Sequence, residues 1–161
     1  VLNPGGRIIL AVPDRRYTFD YLRPLSTLGQ LLEARHEQRT RPTFSQVYDA
    51  FSMAAKVDTA LCWSRPGYPA GAFEFYYTRE LALRLAEDAR DRGGYHDCHC
   101  WVFTYESFLD LVAQANAMGV LDARIAASAA CTLSESSCDS GAAPAWAAAS
   151  AWPSALVTYS R

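Results

Sequence analysis

From His96 to Cys100 the chain reads His-Asp-Cys-His-Cys, four nitrogen or sulfur donors within five positions. In an extended segment His96, Cys98 and Cys100 face one side at intervals of about 6 to 7 Å, and His99 faces the other. Tetrahedral zinc, with bonds of about 2.0 to 2.3 Å, gathers its donors within about 4 Å of one another. No second ligand pair stands at a zinc-site spacing, so no metal is expected here. An imidazole such as that of His99 can take a proton near neutral pH or hold a hydroxyl. A structural histidine, hydrogen-bonded to a neighbouring segment, is the competing role. Trp101 and Phe103 alternate with His99, and at least one of them belongs to the core.

A second cluster lies between Asp14 and Arg23. Asp14 follows an apolar run, and in open α/β sheets ligands sit beyond the carboxyl ends of the strands. Asp14 is therefore a candidate to position or deprotonate a substrate group, against its alternative role of capping the next turn. Tyr17, Phe19, Asp20 and Arg23 form an aromatic and charged group. The planar fork of Arg23 suits a substrate carboxylate or phosphate, whereas an internal Asp20–Arg23 pair would satisfy both without a ligand.

The elements that must position these residues follow from turn and periodicity signals. Pro4-Gly5-Gly6 marks a turn, and Arg7 to Val12 is a short apolar run of the kind covered on both faces in a parallel or mixed sheet. A helix is expected from Ser26, with Leu28, Leu31 and Leu32 on one face. Thr43 and Gln46 supply a capping box for a helix with Phe44, Val47, Tyr48, Phe51 and Ala55 in a stripe that packs on the domain or roofs a site. The proline- and glycine-rich stretch from Cys62 to Phe75 reads as a loop. Thr78 caps a helix through Arg90 with Leu81, Leu85 and Ala89 inward, stopped by Gly93-Gly94. A further helix from Thr104 buries Phe108, Leu111, Val112, Ala115 and Met118 up to Gly119, and Val120 to Ala126 reads as a strand.

The chain has 161 residues, 50% of them apolar, which suits one ordinary domain. A net charge of −2 gives no footprint for nucleic acid or anionic lipid. No run approaches the roughly 18 to 20 apolar residues of a membrane span, and the N-terminus lacks the pattern of a signal peptide, so the expected setting is cytoplasmic. Cys62, Cys98, Cys100, Cys131 and Cys138 form an odd set without disulfide spacing and are expected to be reduced thiols. From 126 to 161 alanine and serine dominate and periodicity fades. This is the pattern of a low-complexity tail or of a shifted reading frame, though Leu156 to Tyr159 could pair as a short strand.

Leu2-Asn3-Pro4-Gly5-Gly6-Arg7 and the strand after it resemble the turn and fifth strand of class I S-adenosylmethionine-dependent methyltransferases. His99-x-Trp101-x-Phe103-Thr104, followed by Phe108, Leu111 and Gly119, is similar to the segment leading into that family's last large helix. Pro13 through Pro24 resembles bacterial members with a long insertion after the strand. The resemblance implies an α/β fold, the C-terminal portion of a Rossmann-like methyltransferase sheet over residues 1–125, with a helical insertion at 13–95. It implies methyl transfer from S-adenosylmethionine to a small-molecule or glycan-type acceptor. His99 and Asp14 would be catalytic, and Tyr17, Asp20, Arg23 and Trp101 would bind the acceptor. The glycine-rich turn that grips the cofactor is absent, so the chain reads as a fragment that is inactive alone. The alternative is a non-catalytic α/β interaction module completed by a partner chain at an exposed sheet edge.

Overall fold

The structure is a computed structural model that describes residues 7–65, 68, 72–121, 124–130 and 154–160. The Pro4-Gly5-Gly6 turn, Gly67, Gly71 and the alanine- and serine-rich stretch 131–153 lie outside the described residues. Strand β1 (Arg7–Pro13) is followed by a single 3-10 turn and helices α1 (Leu28–His36), α2 (Phe44–Ser52), α3 (Thr59–Ser64), α4 (Arg79–Glu87) and α5 (Tyr105–Ala117). Strands β2 (Arg124–Ala130) and β3 (Ser154–Ser160) complete the described elements.

The helices start where short oxygen-bearing side chains can accept from exposed N–H groups. Thr27, Thr43 and Thr104 each form reciprocal capping boxes, with Gln30, Gln46 and Ser107 respectively. Thr78 accepts from the Leu81 amide and starts α4. This helix widens into a π turn over Asp88–Arg92 and stops at Gly93, whose φ of 70° lies in the left-handed region that glycine enters without strain. Helix α1 begins one residue later than the sequence suggests. Ser26 is engaged elsewhere: its Oγ accepts from the Val102 amide at 2.9 Å. Part of the expected loop after Cys62 is helical, because Asp58 caps α3 by accepting from the Leu61 amide.

The expected α/β fold, the C-terminal portion of a Rossmann-like methyltransferase sheet, is contradicted. Helices make up most of the regular structure, and the described strands pair antiparallel, with β3 between β1 and β2. The buried apolar residues also lie mainly away from the strands. Val47, Ala50, Ala54 and Ala55 of α2 and its exit are 0 to 6% exposed, as are Ala82 and Ala86 of α4 at 0%. Small side chains let these two packed helices approach closely. Leu10 of β1 is 39% exposed, so the apolar run there is not covered on both faces. Inward positions of α4 centre on Ala82 and Ala86 rather than on Leu81 and Leu85, because the small side chains take the tight contact. In α5 Leu111 is buried, but Met118 is 59% exposed at the helix end. Among the described residues no helix is long and apolar enough to cross a membrane.

The segment from Asp14 to Ser26 is knitted to residues 99–105, and this seam positions the site. The Arg15 amide donates to the Phe103 carbonyl at 2.8 Å, and the Ser26 amide to the Val102 carbonyl at 2.9 Å. The Tyr105 amide donates to Asp14 Oδ2 at 2.9 Å. Two stretches some eighty residues apart in sequence are thus held side by side.

Candidate active site

Successive turns fold residues 14–23 back on themselves. The amide of Tyr17 donates to the Asp14 carbonyl, Tyr21 to Thr18, and Arg23 to Asp20 at 2.8 Å. Thr18, 4% exposed, adds a side-chain turn by accepting from the Asp20 amide at 3.2 Å. Asp20 and Arg23 therefore stand one turn apart with both side chains inward, at 2% and 3% exposure.

Their charges meet directly, Arg23 Nη1 lying 2.7 Å from Asp20 Oδ1. The same nitrogen donates to the His99 carbonyl at 2.8 Å. Asp20 Oδ2 lies 2.5 Å from His99 Nδ1. His99 is thus held twice, through its backbone by Arg23 and through its ring by Asp20. An ionised carboxylate only accepts, so His99 Nδ1 carries the proton of this contact. The Phe19 ring stacks on the imidazole, with centroids 4.9 Å apart and planes at 29°, which restrains its rotation.

The His99 side chain is about one-third exposed and forms part of the wall of a cavity of about 300 Å³. Phe19, Phe51, Tyr76 and Tyr77 supply its aromatic surface, with Asp97 as an acidic group. Backbone bonds place these walls. The Ala55 amide donates to the Phe19 carbonyl, and the Tyr76 amide to the Ala54 carbonyl, both at 3.0 Å. The edge of the Phe51 ring meets Tyr77 at 5.1 Å. Such a cavity can hold a small molecule against ring faces beside the imidazole.

The other candidate residues lie apart from this arrangement. Asp14, 6% exposed, accepts from the amides of Arg16 and Tyr105 and from the Arg16 guanidinium at 2.6 Å, so its carboxylate fastens the seam. Tyr17 is half-buried beneath Arg16, whose guanidinium carbon lies 5.7 Å from the ring centroid. Trp101 is half-buried and lines a different, more polar cavity of about 150 Å³, together with Arg23, Asp49 and Cys100. Of the six candidate residues, Asp20, Arg23 and His99 are brought into one hydrogen-bonded cluster. Among the described residues no group of three His, Cys, Asp or Glu side chains converges as a metal site.

Electrostatics follow the same geometry. The hydrogen bond to Asp14 raises the Arg16 guanidinium above its ordinary value. Burial raises the Asp49 carboxyl, with nearby Arg23 opposing. Hydrogen bonding between the two thiols raises Cys98 and lowers Cys100 to about 7. The Arg23 Nε is buried without a hydrogen-bond partner among the described residues, so the cluster carries a residual desolvation cost.

Sequence reasoning did not single out the aromatic wall as a site. Phe51 stands in the stripe expected to pack or roof, but Tyr76 and Tyr77 carry no spacing signal. Their adjacency just before the Thr78 cap is the one local clue, and only the pairing of Phe75 with Ala55 brings them to the cavity. Compared with protein-family models, curated proteins and solved structures, the chain matches none.

Proposed function

We propose that the chain provides the acceptor side of a group-transfer site, in which His99 takes the proton of a hydroxyl on a small-molecule or glycan-type acceptor. The observation that carries this reading is the buried Asp20 carboxylate 2.5 Å from His99 Nδ1, with the ring forming part of an aromatic cavity wall. The hydrogen bond to Asp20 and the stacking on Phe19 place the ring in advance of binding, and the imidazolium formed by proton uptake is stabilised by the adjacent carboxylate. The aromatic walls orient the acceptor.

Methyl transfer is the reaction suggested by the resemblance of the His99–Gly119 segment, in a cytoplasmic setting. S-adenosylmethionine would supply the methyl group. The described residues do not fit that cofactor: Gly29 lies in α1, while Gly93, Gly94 and Gly119 follow helices, and none makes a strand-to-helix cradle. The part assigned to this chain is therefore acceptor placement and proton uptake.

Proton NMR of the His99 ring in the presence of phenol and of a methyl glycoside tests the assignment. One of the probes is expected to shift the His99 C2–H resonance, and Tyr76→Ala should weaken that response. A His99 signal indifferent to both probes would overturn the reading.

The outer edge of β1, which has no strand partner among the described residues, favours a second reading, a non-catalytic module completed by a partner chain. Edge strands present unpaired backbone groups that another strand can meet. A module of that kind would leave His99 unresponsive to both probes while binding its partner.

A further inference from the structure

We propose that Cys98 and Cys100 are a peroxide-sensitive thiol pair whose disulfide withdraws His99 from Asp20. The two cysteines flank His99 directly, and both are half-buried free thiols. Cys98 forms part of the wall of the aromatic cavity and Cys100 part of the wall of the Trp101 cavity, so a small oxidant entering the latter meets the Cys100 sulfur. Cys100 Sγ, as a thiol, donates to the Cys98 carbonyl at 3.8 Å. Residues i and i+2 lie within about 7 Å even in fully extended backbone, and a disulfide spans about 4.4 to 6.8 Å between Cα atoms, so closure fixes both flanking side chains and resets the backbone at His99. The contacts that hold His99, from Arg23 Nη1 at 2.8 Å and to Asp20 at 2.5 Å, depend on the present course of that backbone, which bends at Cys100.

Cys100 is the attacking sulfur. The hydrogen bond from Cys98 and the nearby Arg23 and His99 favour its thiolate, while burial and Asp97 oppose it, with a net value of about 7. A thiol that titrates near ambient pH combines thiolate population with nucleophilicity. The Cys100 thiolate attacks one oxygen of hydrogen peroxide, the O–O bond breaks, hydroxide leaves, and a sulfenic acid forms. The Cys98 sulfur then attacks the Cys100 sulfur, the S–O bond breaks, and the Cys98 proton leaves with the hydroxyl as water. In sum, two thiols are oxidised to one disulfide and one peroxide is reduced to two waters. This chemistry does not require that His99 act as a base.

The full chain, reduced and then treated with a few equivalents of hydrogen peroxide at neutral pH, is alkylated and mapped by mass spectrometry. The peptide containing residues 96–101 is expected to lose two hydrogens, to resist alkylation, and to recover both thiols with dithiothreitol. Cys98→Ser should leave a Cys100 sulfenic acid trappable by dimedone, and Cys100→Ser should react about tenfold more slowly. The His99 C2–H resonance should differ between reduced and oxidised wild type. Two thiols that stay alkylatable, a disulfide to another cysteine, or a His99 signal unmoved by oxidation would overturn the proposal.

Discussion

Replacing Asp20 by Asn removes a carboxylate that meets Arg23 at 2.7 Å and His99 at 2.5 Å with only 2% of its surface exposed. Arg23 then remains buried without its counter-charge. Removing one member of a buried ion pair costs about 3 to 5 kcal/mol, so Asp20→Asn should unfold at much lower urea than the wild type. His99→Gln leaves the Asp20–Arg23 pair in place and should cost about 1 to 2 kcal/mol. Equal losses in the two variants would show that the imidazole, not the ion pair, anchors the segment. At the same scale, Asp49 predicts a pH dependence. Its carboxyl is raised by burial, so as pH rises through the ordinary carboxylate value the unfolded chain gives up its proton first. Stability therefore falls across the window up to the raised folded value and stays reduced above it. Asp49→Asn does not titrate there and should melt higher than wild type at neutral pH, with the difference closing in acid. A lower melting temperature for the variant at neutral pH would contradict the assignment.

At the scale of elements, the closest packing lies between α2 and α4, where Val47, Ala82 and Ala86 are all 0% exposed. Ala82→Leu adds volume to a contact with no room for it and should destabilise by about 1 to 3 kcal/mol, read from the urea midpoint. Leu83→Ala, at a position 43% exposed, is the control and should shift it far less. An unchanged midpoint for Ala82→Leu would mean that the two helices are not tightly packed. The helix starts at Thr43, Thr78 and Thr104 were legible in the sequence because a cap is a local hydrogen bond between residues three apart. The inward face of α4 was not. Hydropathy points to Leu81 and Leu85, whereas the close approach of a neighbouring helix selects alanine.

For the whole molecule, the three strands put β3 in the middle, leaving one edge of β1 without a strand partner among the described residues. Such an edge, with Leu10 39% exposed, favours association. Sedimentation velocity is expected to show self-association that grows with concentration. A monomer unchanged over a hundredfold range of concentration would remove the edge as an interaction surface. Leu156 to Tyr159 was legible as a strand from its β-branched and aromatic residues, but its partners were not. Pairing with Arg7–Pro13 and Arg124–Ala130 is a contact between distant parts of the chain, and nothing in either local pattern records it.

The sequence by itself determined the residue types available for chemistry, the capped helix starts, and the adjacency of Asp20 to Arg23 within one turn. Each rests on interactions between near neighbours, whose geometry the backbone fixes over three or four residues. Only the tertiary structure decided that Asp20 holds His99, that Asp14 fastens a seam, and that Trp101 faces a separate cavity. It also decided that the described strands pair antiparallel, since strand direction depends on which distant segment supplies the partner backbone. These outcomes depend on bringing together segments about eighty or more residues apart, where packing and buried charge, rather than local propensity, choose the partner.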